Sequence, residues 1–300
     1  MEYIKDYQNM YSHVDSHLAY KIANANLLEY PYPHMFIENI FPIDIYEEML
    51  INMPIQNNYS PIHEKRMVKG SDGRFVILFN ELENLKIEKK KKEFWSEFYK
   101  SIINSRFTHI LTSKFSNLIQ RRFEGQTGVN LKDEMMLVQD RTNYYLGPHT
   151  DSKYKVITVL FYLPENDENA HLGTSIYSPK DPKFECIGGP HYRHQDFYKV
   201  TTMPMKKNSV FIFFKSSKSF HGVEPLNKRV IDHLPGPVKS DFGKDIFPNW
   251  TDELKLYGYN TSEYLKDLSE AQYEECLRKV HEHFRTNSYQ QRKLVRGLGV

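Results

Sequence analysis

His149 and Asp151 stand one residue apart in Asn143-Tyr-Tyr-Leu-Gly-Pro-His149-Thr-Asp151, and His221 follows in Ser219-Phe-His221-Gly-Val-Glu224. On an extended strand side chains alternate faces, so His149 and Asp151 point one way and Thr150 the other. One imidazole and one carboxylate then share a face. If His221 reaches the same point from a later strand, two nitrogens and one oxygen surround a metal ion and leave the opposite half of its coordination sphere free.

The spacing alone does not select this triplet, because His13-Val-Asp15 and His194-Gln-Asp196 repeat it in a chain with 13 histidines. Context selects it. Asp151 is followed by Lys155-Val-Ile-Thr-Val-Leu-Phe-Tyr-Leu163, a β-branched and aromatic run that predicts a buried strand. His221 follows Ser209-Val-Phe-Ile-Phe-Phe214, a second such run. His13 precedes a predicted helix, and His194 lies in a loop rich in Gly, Pro and His.

The elements that must position these residues are set by the rest of the chain. Three hundred residues with a formal charge of +2 suit one domain with extensions or two small ones, and do not suggest a dedicated nucleic-acid protein. No apolar run reaches the roughly 18 to 20 residues that span a bilayer, and Met1-Glu-Tyr-Ile-Lys lacks a signal-peptide layout. Two cysteines, Cys186 and Cys276, are too few for a disulfide framework and agree with a reducing compartment. The expectation is a soluble, cytoplasmic protein without nucleic-acid or membrane partners; oligomeric state is not legible.

Along the chain, residues 11 to 28 read as helix, ended by Glu29-Tyr-Pro-Tyr-Pro33. His34 to Asn39 reads as a first strand and Pro42 to Ile51 as an amphipathic helix. Arg74 to Phe79 is either a strand or the apolar end of a loop. Glu88-Lys-Lys-Lys-Lys-Glu93 reads as the solvated face of a helix that includes Phe94-Trp95, and further helices are predicted over 94–104 and 107–120. From Glu134 to about Leu234, six or seven short strands separated by Gly, Pro, Asn and Asp turns have the texture of a small barrel or sandwich. After Pro235-Gly-Pro237, residues 251–258, 262–268 and 270–284 read as helices. His281-Glu-His283 on such a helix places its imidazoles on different faces and reads as a surface pair.

At these segments the chain resembles the Fe(II)- and 2-oxoglutarate-dependent dioxygenases, in particular their prolyl-hydroxylase-like branch. The resemblance is carried by Pro31-Tyr-Pro-His-Met-Phe-Ile-Glu-Asn-Ile-Phe41, by Gly147-Pro-His-Thr-Asp151 with 156–163, by Leu172-Gly-Thr-Ser-Ile-Tyr177, and by 208–214 through Phe220-His-Gly-Val-Glu-Pro225 and Arg229. It covers residues 30 to 236. One departure stands at Leu172-Gly-Thr174, where the family usually has two glycines before the threonine.

The resemblance implies a mainly β fold with flanking helices around a double-stranded β-helix, the cupin-like jelly roll. The barrel core would occupy about 134–235 of a domain over 30–236, with an N-terminal helical segment over 1–29 and a C-terminal helical extension over 237–300. It implies that His149, Asp151 and His221 bind Fe(II) and that Arg229 grips the far carboxylate of 2-oxoglutarate, a task that suits a planar guanidinium fork. Lys228 is the competitor for that role. Tyr145 shares parity with His149 and is a second candidate for the cosubstrate; packing in a tyrosine-rich core is its alternative. Thr174, His191, Tyr192 and Arg193 are candidate substrate contacts, against a strand position for Thr174 and a solvated loop for the others.

The implied reaction couples O2 and 2-oxoglutarate at the iron, releases succinate and CO2, and hydroxylates a C–H bond of a small molecule or of a sugar- or peptide-linked group. Related halogenases replace the carboxylate ligand by a small residue, so Asp151 points to hydroxylation, with desaturation or cyclisation using the same ligands. Two other classes compete: a non-oxidative or non-catalytic cupin-like metal barrel, and a protein-modifying hydroxylase that docks its partner on the basic helix at 89–92 and the C-terminal helices.

Overall fold

A stripe of apolar residues at helical spacing begins the fold. The computed structural model describes residues 2–65, 73–102, 105–141, 144, 146–188, 191–224 and 291–299. Helix α1 (Glu2–Asn24) buries Val14, Leu18 and Ile22 on one face, which follows from their i, i+4, i+8 spacing. It starts nine residues before the expected helix and ends four residues earlier. The first turns, with Glu2, Lys5 and Gln8, hold straight-chain polar residues that tolerate a helix well.

Strand β1 (His34–Glu38) and helix α2 (Ile43–Ile51) follow where the pattern places them. Beyond the short β2 (Ser60–Pro61) and α3 (Ile62–Lys65), Arg74–Leu78 is a strand, β3, which decides between its two readings. Helix α4 (Lys89–Ile102) takes the lysine run into its first turn and buries Phe94, Trp95 and Phe98 behind it. Helices α5 (Ser105–Lys114) and α6 (Ser116–Arg122) lead to the strand-rich half.

That half contains β4 (Lys132–Asp140), β5 (Leu146–His149), β6 (Lys155–Tyr162), β7 (Thr174–Pro179), β8 (Phe197–Met203), β9 (Ser209–Phe214), β10 (His221–Val223) and β11 (Gln291–Gly299). They form a seven-stranded sheet in the order β1-β9-β6-β11-β4-β3-β2 and a four-stranded sheet in the order β5-β10-β7-β8. The antiparallel pairs β4–β11, β5–β10, β6–β9 and β7–β8 nest one inside the next and alternate between the sheets. This nesting is the jelly-roll, or double-stranded β-helix, topology.

Gln291–Gly299 fills the place between β4 and β6 and lies within the stretch read from sequence as a helical extension. The helices expected over 251–258, 262–268 and 270–284, His281 and His283, and the candidates Tyr145, Lys228 and Arg229 fall outside the described residues.

Two apolar layers result from the alternation of β6. Ile157, Val159 and Phe161 face the helices in the large core, where Phe161 packs on Phe41 and Phe107. Leu160 and Tyr162 face the other way, into the barrel, with Tyr32, Ile176, Phe211 and Phe213. The barrel interior is therefore walled by both sheets.

Candidate metal centre

His149 ends β5 and His221 begins β10, and the two are direct cross-strand partners, so their rings lie with centroids 4.3 Å apart. Gly222 permits the close approach of β10 to β5, and Gly147 that of the 191–193 loop to β5. A Cβ on Gly222 would meet the Leu146 carbonyl oxygen at 2.4 Å, and one on Gly147 would meet the Tyr192 carbonyl oxygen at 2.6 Å. Asp151 lies two residues beyond β5 and returns to the same face, as strand alternation requires. Thr150 points away and donates its hydroxyl to the Cys186 carbonyl at 2.9 Å.

The ligand atoms of His149, Asp151 and His221 lie within 4.8 Å of one another, and they are the one group of three such residues among the described ones that could hold a metal ion. Asp151 Oδ2 is 4.0 Å from His221 Nε2. An ion with bonds of about 2.0–2.2 Å spans such a set after a small contraction.

The orientation of each imidazole is fixed from behind. Nδ1 of His149 is 3.0 Å from the Gly147 carbonyl and Nδ1 of His221 is 3.0 Å from the Ser219 carbonyl. A carbonyl only accepts, so each Nδ1 carries the proton and each Nε2 turns a lone pair toward the common point. Phe213 packs on the His221 ring at 4.5 Å between centroids.

The charge states suit a cation. Burial, and then the neighbouring His221, push the His149 pKa down to about 3 against the upward pull of Asp151. Burial likewise lowers that of His221. Burial alone would raise the Asp151 carboxyl, but Lys155, the two histidines and the Thr158 hydroxyl outweigh it and hold it well below the usual carboxylate range. At neutral pH the set is two neutral imidazoles and one carboxylate, the protonation that metal binding needs. The Asp151 side chain is 12 % exposed, so the dense surroundings leave one edge open.

The barrel interior beside the triad is lined with hydroxyls. Tyr162 donates to Thr174 Oγ1 at 2.7 Å, which places Thr174 inside the barrel. The hydroxyls of Tyr32 and Tyr144 are buried and make no hydrogen bond among the described residues. Tyr144 lies under the Arg74 guanidinium, 4.1 Å from its ring centre, and Arg74 is tied to Asp140 through two hydrogen bonds of 2.6 and 2.7 Å. Arg74 and Asp140 are register partners on β3 and β4.

The 191–193 loop crosses outside β5, with Tyr192 N donating to the Pro148 carbonyl at 2.7 Å. The Tyr192 ring packs among Phe184, Phe197 and Phe220 and its hydroxyl meets Cys186 Sγ at 3.4 Å. His191 is half-buried against Gly147, and Arg193 is exposed. Of the other His-x-Asp triplets, His13 and Asp15 lie in α1, and His194 contacts the Tyr177 hydroxyl at 3.1 Å.

No protein-family model matches the sequence, and no curated protein matches it. Among solved structures, the chain is similar to a prolyl hydroxylase of Trichoplax adhaerens in complex with a hypoxia inducible factor peptide, at 11 % identity and a TM-score of 0.41 over 95 % of this chain and 90 % of that one. It is similar to a Pseudomonas putida prolyl-4-hydroxylase at 10 % identity and 0.41, over 94 % and 98 %. It is also similar to HygX of Streptomyces hygroscopicus, solved with nickel, 2-oxoglutarate and hygromycin B, at 8 % identity and 0.39, over 89 % and 82 %. What the site can do is read from its own residues.

Sequence reasoning missed four of these residues. Tyr32 stands near the triad only through the closure of the barrel, and Tyr144, five residues before His149, has the opposite strand parity. Thr158 and Lys155 left a signal, since they are the two polar side chains in an otherwise apolar and aromatic run.

Proposed function

We propose that this protein is an Fe(II)- and 2-oxoglutarate-dependent dioxygenase that hydroxylates an unactivated C–H bond, with release of succinate and CO2. The observation that carries the reading is the convergence of two Nε2 lone pairs and one carboxylate at the mouth of a barrel whose interior offers tyrosine hydroxyls without a partner among the described residues. Three protein ligands on one side leave room for a chelating 2-oxo acid and O2 on the other. A bound Fe(II) would supply the oxygen-activating chemistry. The chain's own residues do the rest: Gly147 O and Ser219 O fix the imidazole tautomers, Thr158 orients Asp151, and Tyr32 and Tyr144 offer O–H donors to an oxygen-rich ligand extending inward. Asp151 occupies the position that a halide would need, which favours hydroxylation.

Arg229 remains the proposed partner of the far carboxylate, with Lys228 as its competitor. Tyr145 keeps its proposed place beside the cosubstrate, and Thr174, His191, Tyr192 and Arg193 their proposed place around the substrate. Tyr192 has the least freedom for that role, being packed among three phenylalanines. The substrate class favoured is a small molecule, acted on in the cytoplasm.

Anaerobic addition of Fe(II) and 2-oxoglutarate to the apoprotein separates this reading from a non-oxidative metal barrel. A visible charge-transfer band of the chelate is expected, and exchange of Arg229 for Ala should raise the 2-oxoglutarate concentration needed to develop it. A protein that binds the metal yet never forms the band is not an oxygenase of this kind.

A further inference from the structure

Asp151 makes two contacts that a metal ligand does not require. The Thr158 hydroxyl donates to Oδ2 at 2.6 Å, and Lys155 Nζ donates to Oδ1 at 3.0 Å. Oδ2 is the oxygen near His221 Nε2, so the lysine holds the oxygen turned away from the triad. Its side chain is 23 % exposed, and solvent screens such a pair much less than an ion pair on the open surface. The backbone of Lys155 is also held, its N–H donating to the Ser152 carbonyl at 3.0 Å and its strand position pairing with Gly299. A second ammonium, Lys215, lies behind the same turn, 3 % exposed and 3.3 Å from Thr150 Oγ1.

We propose that Lys155 is a positioning residue that draws charge from Asp151, so that the centre holds a divalent metal less tightly, and a doubly negative 2-oxo acid more tightly, than the three ligands alone would. The proposal rests on the function proposed above. A carboxylate whose outer oxygen is neutralised by an ammonium is a weaker donor to a cation. The triad with its metal carries a formal charge of +1, and Lys155 raises the local charge to +2, which matches a dianion. The two effects follow from one charge and have opposite signs.

The test uses Lys155→Met, which keeps an unbranched stem and removes the charge, and Lys155→Arg, which keeps the charge on a slightly longer side chain. Co(II) is titrated into each metal-free protein and followed by its absorbance, and 2-oxoglutarate is then titrated into the Co(II)-loaded proteins, where no turnover occurs. For Lys155→Met the Co(II) dissociation constant is expected to fall about tenfold and that of 2-oxoglutarate to rise about tenfold, as loss of one nearby charge at partial screening implies. Lys155→Arg should stay close to the native protein in both titrations. If Lys155→Met weakens both ligands together, the lysine only braces the turn and the proposal fails; unchanged constants also end it. A native protein that binds no Co(II) ends the functional reading itself, an outcome distinguishable from the other two.

Discussion

The two faces of β6 are both buried and differ in kind. Outward, Ile157, Val159 and Phe161 join Trp95, Phe98 and Phe107 in a core whose polar side-chain atoms, the Tyr46 and Tyr59 hydroxyls and the Trp95 N–H, each have a partner. Inward, Thr158 holds Asp151 and Tyr162 holds Thr174, in a wall that also carries the Tyr32 and Tyr144 hydroxyls, which have no partner among the described residues. Burial therefore does not distinguish the region that stabilises the fold from the region that does chemistry. The fate of each polar atom does, because a buried hydroxyl without an acceptor costs stability and persists where a ligand will use it.

The largest expected effect divides the two regions outright. His149→Ala should abolish succinate formation while leaving the unfolding midpoint of the apoprotein near native, since it deletes a metal ligand and no core packing. Trp95→Ala should do the reverse. Its ring is fully buried against Phe79, Phe94 and Phe98 and its N–H donates to the Asn52 carbonyl at 2.9 Å, so its loss should cost about 3–5 kcal/mol by urea unfolding, with the remaining folded protein still binding Co(II). Normal turnover by the His149 variant would remove the centre of the proposal.

How far each region was legible in the sequence follows the same division. The outer core was legible: the apolar and aromatic run of 155–163 predicts a buried strand, and the helical patterns of α1 and α4 supply the side chains packed against it. The triad was legible because His149-Thr-Asp151 is followed by one apolar strand run and His221 follows another. Its supports were not. The Gly147 and Ser219 carbonyls orient the imidazoles through local backbone turns that residue types do not encode. Arg74 meets Asp140 through a cross-strand register spanning 66 residues, and Tyr32 reaches the interior only when β1 pairs with β9. The barrel strand Gln291–Gly299 carries Arg292, Lys293 and Arg296 among its apolar residues, so its charge obscured a position that pairing on both sides makes a strand.

A smaller effect comes from acid. An unfolded imidazole takes up a proton near pH 6.5, whereas that of folded His149 waits until about pH 3. Between these values the unfolded chain binds the extra proton, so apoprotein stability is full above pH 6.5, falls as pH drops, and has lost this contribution below 3. His221 acts in the same direction, and Asp151 adds to the fall at still lower pH. Unfolding free energies from urea titrations at pH 7 to 4 should decline by about a few kcal/mol in the native apoprotein and less steeply in His149→Ala; parallel curves would show that the triad is not the acid-sensitive element.

The smallest change is a single oxygen atom. Tyr32 is packed beside Phe213, which in turn packs on His221, and burial, reinforced by Asp151, keeps its hydroxyl protonated and able only to donate to an anion. Tyr32→Phe removes a donor that has no acceptor among the described residues, so the apoprotein should gain up to about 1 kcal/mol. The same change should raise the 2-oxoglutarate dissociation constant of the Co(II)-loaded protein about tenfold, the worth of one hydrogen bond to a charged group. Tyr162→Phe is the counterpart: its hydroxyl already donates to Thr174, so its loss should cost about 1 kcal/mol of stability and leave the cosubstrate nearly unaffected. If the two variants behave alike, the interior hydroxyls are packing and not a subsite, and the contrast between the faces of β6 reduces to composition.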